Sequence, residues 1–344
     1  MFDSSNQISK YHNDQVNLPK AERDKMRSRR DANRKRLKKG LAKNQKPSPV
    51  GCHSQGSYAM WTMVQDANCD FDIDDGVYFE KADLVGRNGG VMTALQVRQM
   101  VCDALGTENN FSRPPELLKN CVRVYYKEGH HVDVPAYRRI ANDDFLSGET
   151  TYEYELASAE WKSSDPRAVT RWFTQVNQEL SPDPNSNGGQ FRRVVRLLKK
   201  FARSRPSWKS SMASGFMLTK LAQEEFRPSE GRDDEALRNT MKAISNRLAF
   251  NETVNHPVLS GETLTKDNDG RPAFLKKCLD ENLAHLVVLD DQDCTHKEAM
   301  KAWDKVYKSD WFIHQPESGE AVKKASVFGV PTDAVDKRGG GRFA

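Results

Sequence analysis

The sequence has no hydrophobic run long enough to span a bilayer. Stretches such as Leu286–Leu289 fall far short of the roughly 18–20 residues that a membrane helix needs. Met1-Phe2-Asp3-Ser4-Ser5 shows neither a basic n-region nor an apolar h-region, so no secretory signal is expected. Six cysteines (Cys52, Cys69, Cys102, Cys121, Cys278, Cys294) are scattered without a Cys-x-x-Cys pair. That argues against a disulfide framework and against a structural zinc site, and fits reduced thiols. His130-His131 is the one adjacent histidine pair. Neighbours on a strand point to opposite faces, so the pair reads as a strand end rather than a zinc site. No internal repeat is present. Membrane and secreted readings are excluded, and a cytoplasmic location is expected.

What is present is ordinary globular material. The 344 residues are 37% hydrophobic, 9% aromatic and 29% charged, enough for about two domains with a real core. The net charge of +5 is unevenly spread. Residues 1–46 hold 14 Lys/Arg against 5 Asp/Glu, leaving 39 basic and 43 acidic residues elsewhere. A basic segment is thus attached to a mildly acidic body. It is either a phosphate-contacting arm or simply a solvated helix face.

Along the chain, Leu18 to Ala42 reads as one long polar helix opening near Pro19 and ending at Gly40. Lys46 to Gly51 reads as a linker. Gln55 to Phe79 carries a loop, a short helix and a strand, and a further helix is expected near Met92 to Ala104. Alternation in Cys121–Tyr126 and His131–Pro135 predicts a strand pair around a turn at Glu128-Gly129, and Glu153–Leu156 fits another strand. After Pro166 the pattern turns helical: Arg167–Leu180, Arg192–Arg203, Gly215–Phe226 and Asp233–Phe250. In the last, Leu237, Met241, Ile244 and Leu248 line one face behind an acidic first turn. A boundary is placed between residues 155 and 185, and Lys337–Ala344 is a glycine-rich tail.

Two segments carry chemistry. In Asp70-Phe71-Asp72-Ile73-Asp74-Asp75-Gly76-Val77-Tyr78-Phe79, a strand puts Asp72 and Asp74 side by side, with Phe71, Ile73 and Val77 on the other face. Paired carboxylates repel unless a cation sits between them, and an oxygen-rich site that also takes substrate phosphates suits Mg²⁺. Asp133, in Val132-Asp133-Val134-Pro135, is a third acid among β-branched residues, where an unpartnered charge is costly. A two-ion site would partner it. In Gln55-Gly56-Ser57, the glycine admits close phosphate approach, and the Ser57 hydroxyl and following amides can bind it. Asp70 shares the face of the pair and Asp75 points away, both in supporting roles. Tyr58, Met60 and Trp61 flank the loop, as packing or as part of a lid.

This constellation resembles the polymerase-β-like nucleotidyltransferase superfamily. The string Gln55-Gly56-Ser57 … Asp72-Ile73-Asp74-Asp75-Gly76-Val77-Tyr78 … Asp133-Val134-Pro135 is similar to the bacterial cGAS/DncV-like nucleotidyltransferases of CBASS anti-phage systems. Trp161–Pro166 and Arg196-Leu197-Leu198-Lys199 fit the same group. The resemblance implies an α+β fold: a mixed-sheet core with helices (51–165), a mostly helical C-terminal domain (166–330), a basic N-terminal helical arm and linker (1–50), and a flexible tail (331–344). It implies an enzyme that joins and cyclises ATP and GTP with two Mg²⁺ ions per site (Mn²⁺ as a substitute), cyclic GMP-AMP being the first-choice product. That product would switch on an effector protein. By position, Asp72 and Asp74 would bind both ions, and Asp133 would bind one and help deprotonate the attacking ribose hydroxyl. Gln55, Gly56 and Ser57 would hold the donor triphosphate, with Lys199 and Ser214 contacting phosphate. Lys199 otherwise reads as a solvated residue, and Ser214 as a helix cap.

In such systems the synthase C-terminus is a substrate for ubiquitin-transfer-like conjugation, for which Gly339-Gly340-Gly341 and Ala344 are suited. The competing readings are a nucleotidyltransferase extending RNA 3′ ends, and a non-enzymatic RNA-binding protein with a basic arm. The acidic body opposes the former, so nucleic acid is not expected to be required.

Overall fold

The computed structural model describes residues 1–66, 71–86, 88–107, 113–126, 130–143 and 148–317. Its centre is strand β2 (Asp72–Glu80), where alternation does what the sequence pattern predicts. Ile73, Asp75, Val77 and Phe79 are buried on one face, while Asp72 and Asp74 stay partly open on the other. One flank of β2 pairs antiparallel with β1 (Gly51–Gln55). The other pairs in parallel with β5 (His131–Val134) and then β6 (Ala136–Asp143). Those two strands are one extended run interrupted at Pro135, whose carbonyl still accepts from the Val77 N–H. β3 (Glu116–Leu117) and β4 (Val122–Tyr125) extend the sheet beyond β5, and β7 (Thr150–Ala157) and β8 (Trp161–Ser163) extend it beyond β6.

Helices α2 (Lys20–Lys43) and α4 (Ala94–Leu105) cover the buried face. Met26, Leu37 and Leu41 of α2 share a core with Val97, Val101, Ile73 and Val132. α2 does not end at Gly40 as the sequence suggests. That glycine lies inside the helix against α4, where a Cβ would meet the Ala104 carbonyl oxygen at 1.9 Å. Its role is close approach rather than termination. Much of the basic charge of α2 is used internally. Arg34 holds the back-face carboxylate of Asp75 with two hydrogen bonds of 2.7 and 2.5 Å.

A second apolar cluster lies among α5 (Pro166–Leu180), α6 (Gln190–Ala202), α7 (Gly215–Glu225), α8 (Asp233–Phe250), α9 (Gly270–Leu283) and α10 (His296–Tyr307). The expected face of α8 is buried throughout. α1 (Ser5–Tyr11) joins this cluster through Ile8 and Tyr11, and Ser4 donates its N–H to Asp234 at 2.9 Å. The short α3 (Gly56–Ala59) and the segment after it straddle both cores. Tyr58 and Met63 pack into the sheet cluster, Met60 and Val64 into the helical one. Among the described residues no helix is long and apolar enough to cross a membrane. The Glu128-Gly129 turn, Asp70, Cys69 and the glycine-rich tail lie outside the described residues.

Candidate active site

Strand register assembles the acids. Asp74 of β2 lies opposite Asp133 of β5, and Asp72 lies opposite His131. Side chains at directly opposed positions share a face, so all four project from the open side of the sheet. Asp72, His131 and Asp133 each offer a ligand atom within 4.8 Å of the others. Burial, with the charges of Asp72 and Asp133 added, pushes the Asp74 carboxyl up to about 7. Arg123 of β4, opposite Asp133, forks onto it with Nε–Oδ1 and Nη2–Oδ2 bonds of 2.7 and 2.8 Å. One guanidinium against three carboxyl groups, one of them held near 7, leaves the face net negative. A donor set of carboxylate oxygens in that state fits a divalent cation.

The turn from β1 into α3 closes over these acids. Gly56 has φ +63°, and a Cβ there would stand 2.3 Å from Asp74 Oδ2. Only glycine permits this approach of backbone to carboxylate. Ser57 follows in the first turn of α3, and its carbonyl accepts the Thr62 N–H at 2.9 Å. Gln55 ends β1 beside this turn. It lies across from Asp74, but its amide Nε2 donates to Tyr137 at 2.9 Å and its Oε1 accepts from Tyr78 at 3.5 Å. Both bonds tie the side chain to the sheet.

The facing wall is α6. Arg192, Arg196, Lys199 and Lys200 fall on one side of the helix at helical spacing. They donate to the backbone carbonyls of Met60, Trp61, Thr62 and Gln65 respectively, at 3.2, 2.7, 3.4 and 3.4 Å. Lys199 Nζ also binds the Thr62 hydroxyl at 2.7 Å. Burial, then the charges of Arg203 and Arg196, lower the Lys199 ammonium to about 7, with Asp72 acting in the opposite sense. Arg196 is similarly pulled down to about 9 by burial, Arg192 and Arg23. Behind it, buried His12, lowered to about 4 chiefly by burial, accepts from Arg196 at 3.3 Å. Lys199 is therefore not a solvated residue but a buried group within electrostatic reach of Asp72. Ser214 caps α7, its Oγ accepting the Met217 N–H at 3.2 Å. The adjacent Gly215 backbone lies against the Lys199 stem. An acidic sheet face thus meets a helix bearing buried cations at the phosphate-type turn.

Residues 50–137 match the family described as cyclic GMP-AMP synthase DncV-like, nucleotidyltransferase domain. The chain carries a DncV-like nucleotidyltransferase domain. It is a nucleotidyltransferase, with the acids of β2 and β5 and the Gly56-Ser57 turn all inside the matched segment. The fold beyond that segment is shared as well. The Vibrio cholerae DncV cyclic AMP-GMP synthase, in complex with the linear intermediate 5′ pppA(3′,5′)pG, aligns with TM-score 0.68 at 18% identity, covering 89% of this chain and 96% of that one. Escherichia coli MS115-1 CdnC with ATP gives 0.64 at 18%, over 89% and 98%. E. coli DncV in its 3′-deoxy GTP bound form gives 0.64 at 17%, over 87% and 94%. These likenesses are ones of fold.

The site also contains residues that the sequence pattern does not single out. Arg123 is visible as the polar member of Val122-Arg123-Val124, but its partner depends on hairpin register. Thr62, Arg192 and His12 carry no local signal, because each meets a partner more than 130 positions away in sequence.

Proposed function

We propose that this chain condenses and cyclises nucleoside triphosphates into a cyclic oligonucleotide, cyclic GMP-AMP by first choice, acting in the cytoplasm as an anti-phage second messenger. The observation carrying this reading is the convergence of Asp72, Asp74 and Asp133 beneath the Gly56-Ser57 turn. Mg²⁺ bound by these carboxylates supplies a lowered pKa for the attacking ribose hydroxyl and a brace for the triphosphate and leaving pyrophosphate.

The chain's own residues do the rest. Asp133, which Arg123 orients, takes the hydroxyl proton on this reading. The ribose oxygen attacks the α-phosphorus, the bond to the β-phosphate oxygen breaks, and pyrophosphate leaves. Repeating the step within the linear product closes the ring. Ser57 and Lys199 hold the donor triphosphate, Lys199 exchanging its Thr62 contact for phosphate oxygens. Ser214, at the neighbouring helix start, is the weaker candidate of the two because its hydroxyl already caps α7. The linear pppA(3′,5′)pG bound by the V. cholerae synthase, and the ATP and GTP bound by a point variant of that enzyme, support ATP and GTP as substrates. On this reading the product activates an effector, and the tail at Gly339–Gly341 is the conjugation substrate.

The test is incubation of the full chain with all four NTPs and Mg²⁺ or Mn²⁺, without RNA, followed by mass spectrometry. A phosphatase-resistant cyclic GMP-AMP is expected. Products that appear only when an RNA 3′ end is supplied overturn the proposal.

A further inference from the structure

We propose that His131 supplies an imidazole ligand to the acidic face, so that one cation position there is a mixed nitrogen–oxygen site favouring first-row transition ions over Mg²⁺. The inference rests on the reading of this face as a divalent-cation site and concerns a side chain outside its three carboxylates.

Register carries the argument. Parallel pairing sets His131 directly opposite Asp72, as it sets Asp133 opposite Asp74. His130, just before β5, is buried on the back face against Phe71, with ring centroids 5.3 Å apart, so His131 emerges with Asp133 on the acid face. Ligand atoms of Asp72, His131 and Asp133 lie within 4.8 Å of one another. Two ligands on opposite sides of a small divalent ion, each at about 2.1 Å, stand about 4.2 Å apart. Side-chain rotation closes the difference.

The chemistry of the set then decides what it selects. Arg123 occupies both oxygens of Asp133, which reduces that carboxylate's share in neutralising a cation and makes a further donor useful. Mg²⁺ demands oxygen ligands in regular geometry and keeps its waters, so an imidazole adds little to its affinity. Transition ions accept imidazole and carboxylate together, with Mn²⁺ the weakest binder of the series and the most readily observed.

The experiment uses Mn²⁺ alone with the NTP-free full chain. Electron spin-echo envelope modulation reads nitrogen coupling, and continuous-wave EPR counts free ion. The expected result is ¹⁴N modulation from bound Mn²⁺ that changes to the ¹⁵N pattern when the chain is labelled with ¹⁵N-histidine. In His131→Gln the modulation disappears and Mn²⁺ affinity falls about tenfold, while Mg²⁺ affinity, read by competition, moves by less than about twofold. The labelled wild-type spectrum needs no variant, so a folding defect in His131→Gln does not shield the proposal. Bound Mn²⁺ without histidine coupling overturns the role of His131 and leaves the carboxylate site standing. No Mn²⁺ binding at all overturns the cation-site reading itself, and this inference with it.

Discussion

Gly56 lies directly on the Asp74 carboxylate, so close that a methyl group there would stand 2.3 Å from Oδ2. On the proposed function, the turn that approaches the substrate phosphate and the acid that binds the cation are set by one contact. Gly56→Ala adds that clash to a backbone at φ +63°, a conformation costing a non-glycine residue roughly 1–3 kcal/mol. The expected outcome is a chain that still folds, is less stable by about that amount in denaturant titration, and makes product at least about tenfold more slowly. Unchanged turnover would show that the turn does not need its present distance from Asp74.

The raised Asp74 carboxyl gives a pH dependence with a definite sign. Its native value is near 7 against 3.8 in the unfolded chain, so the native state binds the extra proton in between. Stability from this group is fully present below pH 3.8 and is lost as pH rises toward 7. For the cation-free protein this amounts to a few kcal/mol at most. Thermal unfolding without divalent ions should show the decline. Asp74→Asn should flatten it, and Mg²⁺ at about pH 7.5, above the native value, should raise the wild-type Tm more than that of the variant. A wild-type Tm that climbs relative to Asp74→Asn as pH rises from about 5 to about 7 contradicts the assignment.

Arg123 is the one described guanidinium forked onto the acid face, through Asp133. Removing one partner of a largely buried pair leaves the other charge uncompensated. Arg123→Ala should lower cation-free stability by roughly 1–3 kcal/mol, and Mg²⁺ should restore more of the Tm than it adds to wild type. The measurement is the Mg²⁺-induced Tm shift of both proteins. A smaller shift in the variant would mean that Arg123 supports cation binding rather than standing in for the cation.

Lys199 sits near 7 because burial and two arginines oppose its charge. A triphosphate beside it favours the ammonium, so NTP binding slightly above that value, at about pH 7.5, should take up a proton. Calorimetry in buffers of different ionisation enthalpy should show uptake of roughly three quarters of a proton, lost in Lys199→Met along with much of the affinity. Binding heats independent of buffer would place the triphosphate elsewhere.

How far the sequence discloses this molecule depends on whether a signal is local. Asp72 and Asp74 are legible because strand alternation alone puts them on one face, and α8 because its apolar residues repeat at helical spacing. β1 is not, since Gly-Cys-His-Ser-Gln has no apolar alternation and becomes a strand only by pairing with β2. β6 is hidden because Arg138-Arg139 interrupt its apolar alternation and Ala141–Asp143 are exposed. Gly40 looks like a helix stop until α4 packs on it. The Gln55 amide donates to Tyr137, 82 positions away, a partner no local pattern discloses. The acids of the site are readable. The groups that hold, neutralise or face them belong to tertiary register.

The most direct measurement compares wild type with Asp72→Asn/Asp74→Asn by mass spectrometry of the nucleotide products formed with Mg²⁺, alongside circular dichroism and Tm. The account predicts a cyclic dinucleotide from wild type and none from the double variant, which keeps its fold and melts no lower in the absence of cation. A double variant that turns over NTPs at the wild-type rate would contradict it.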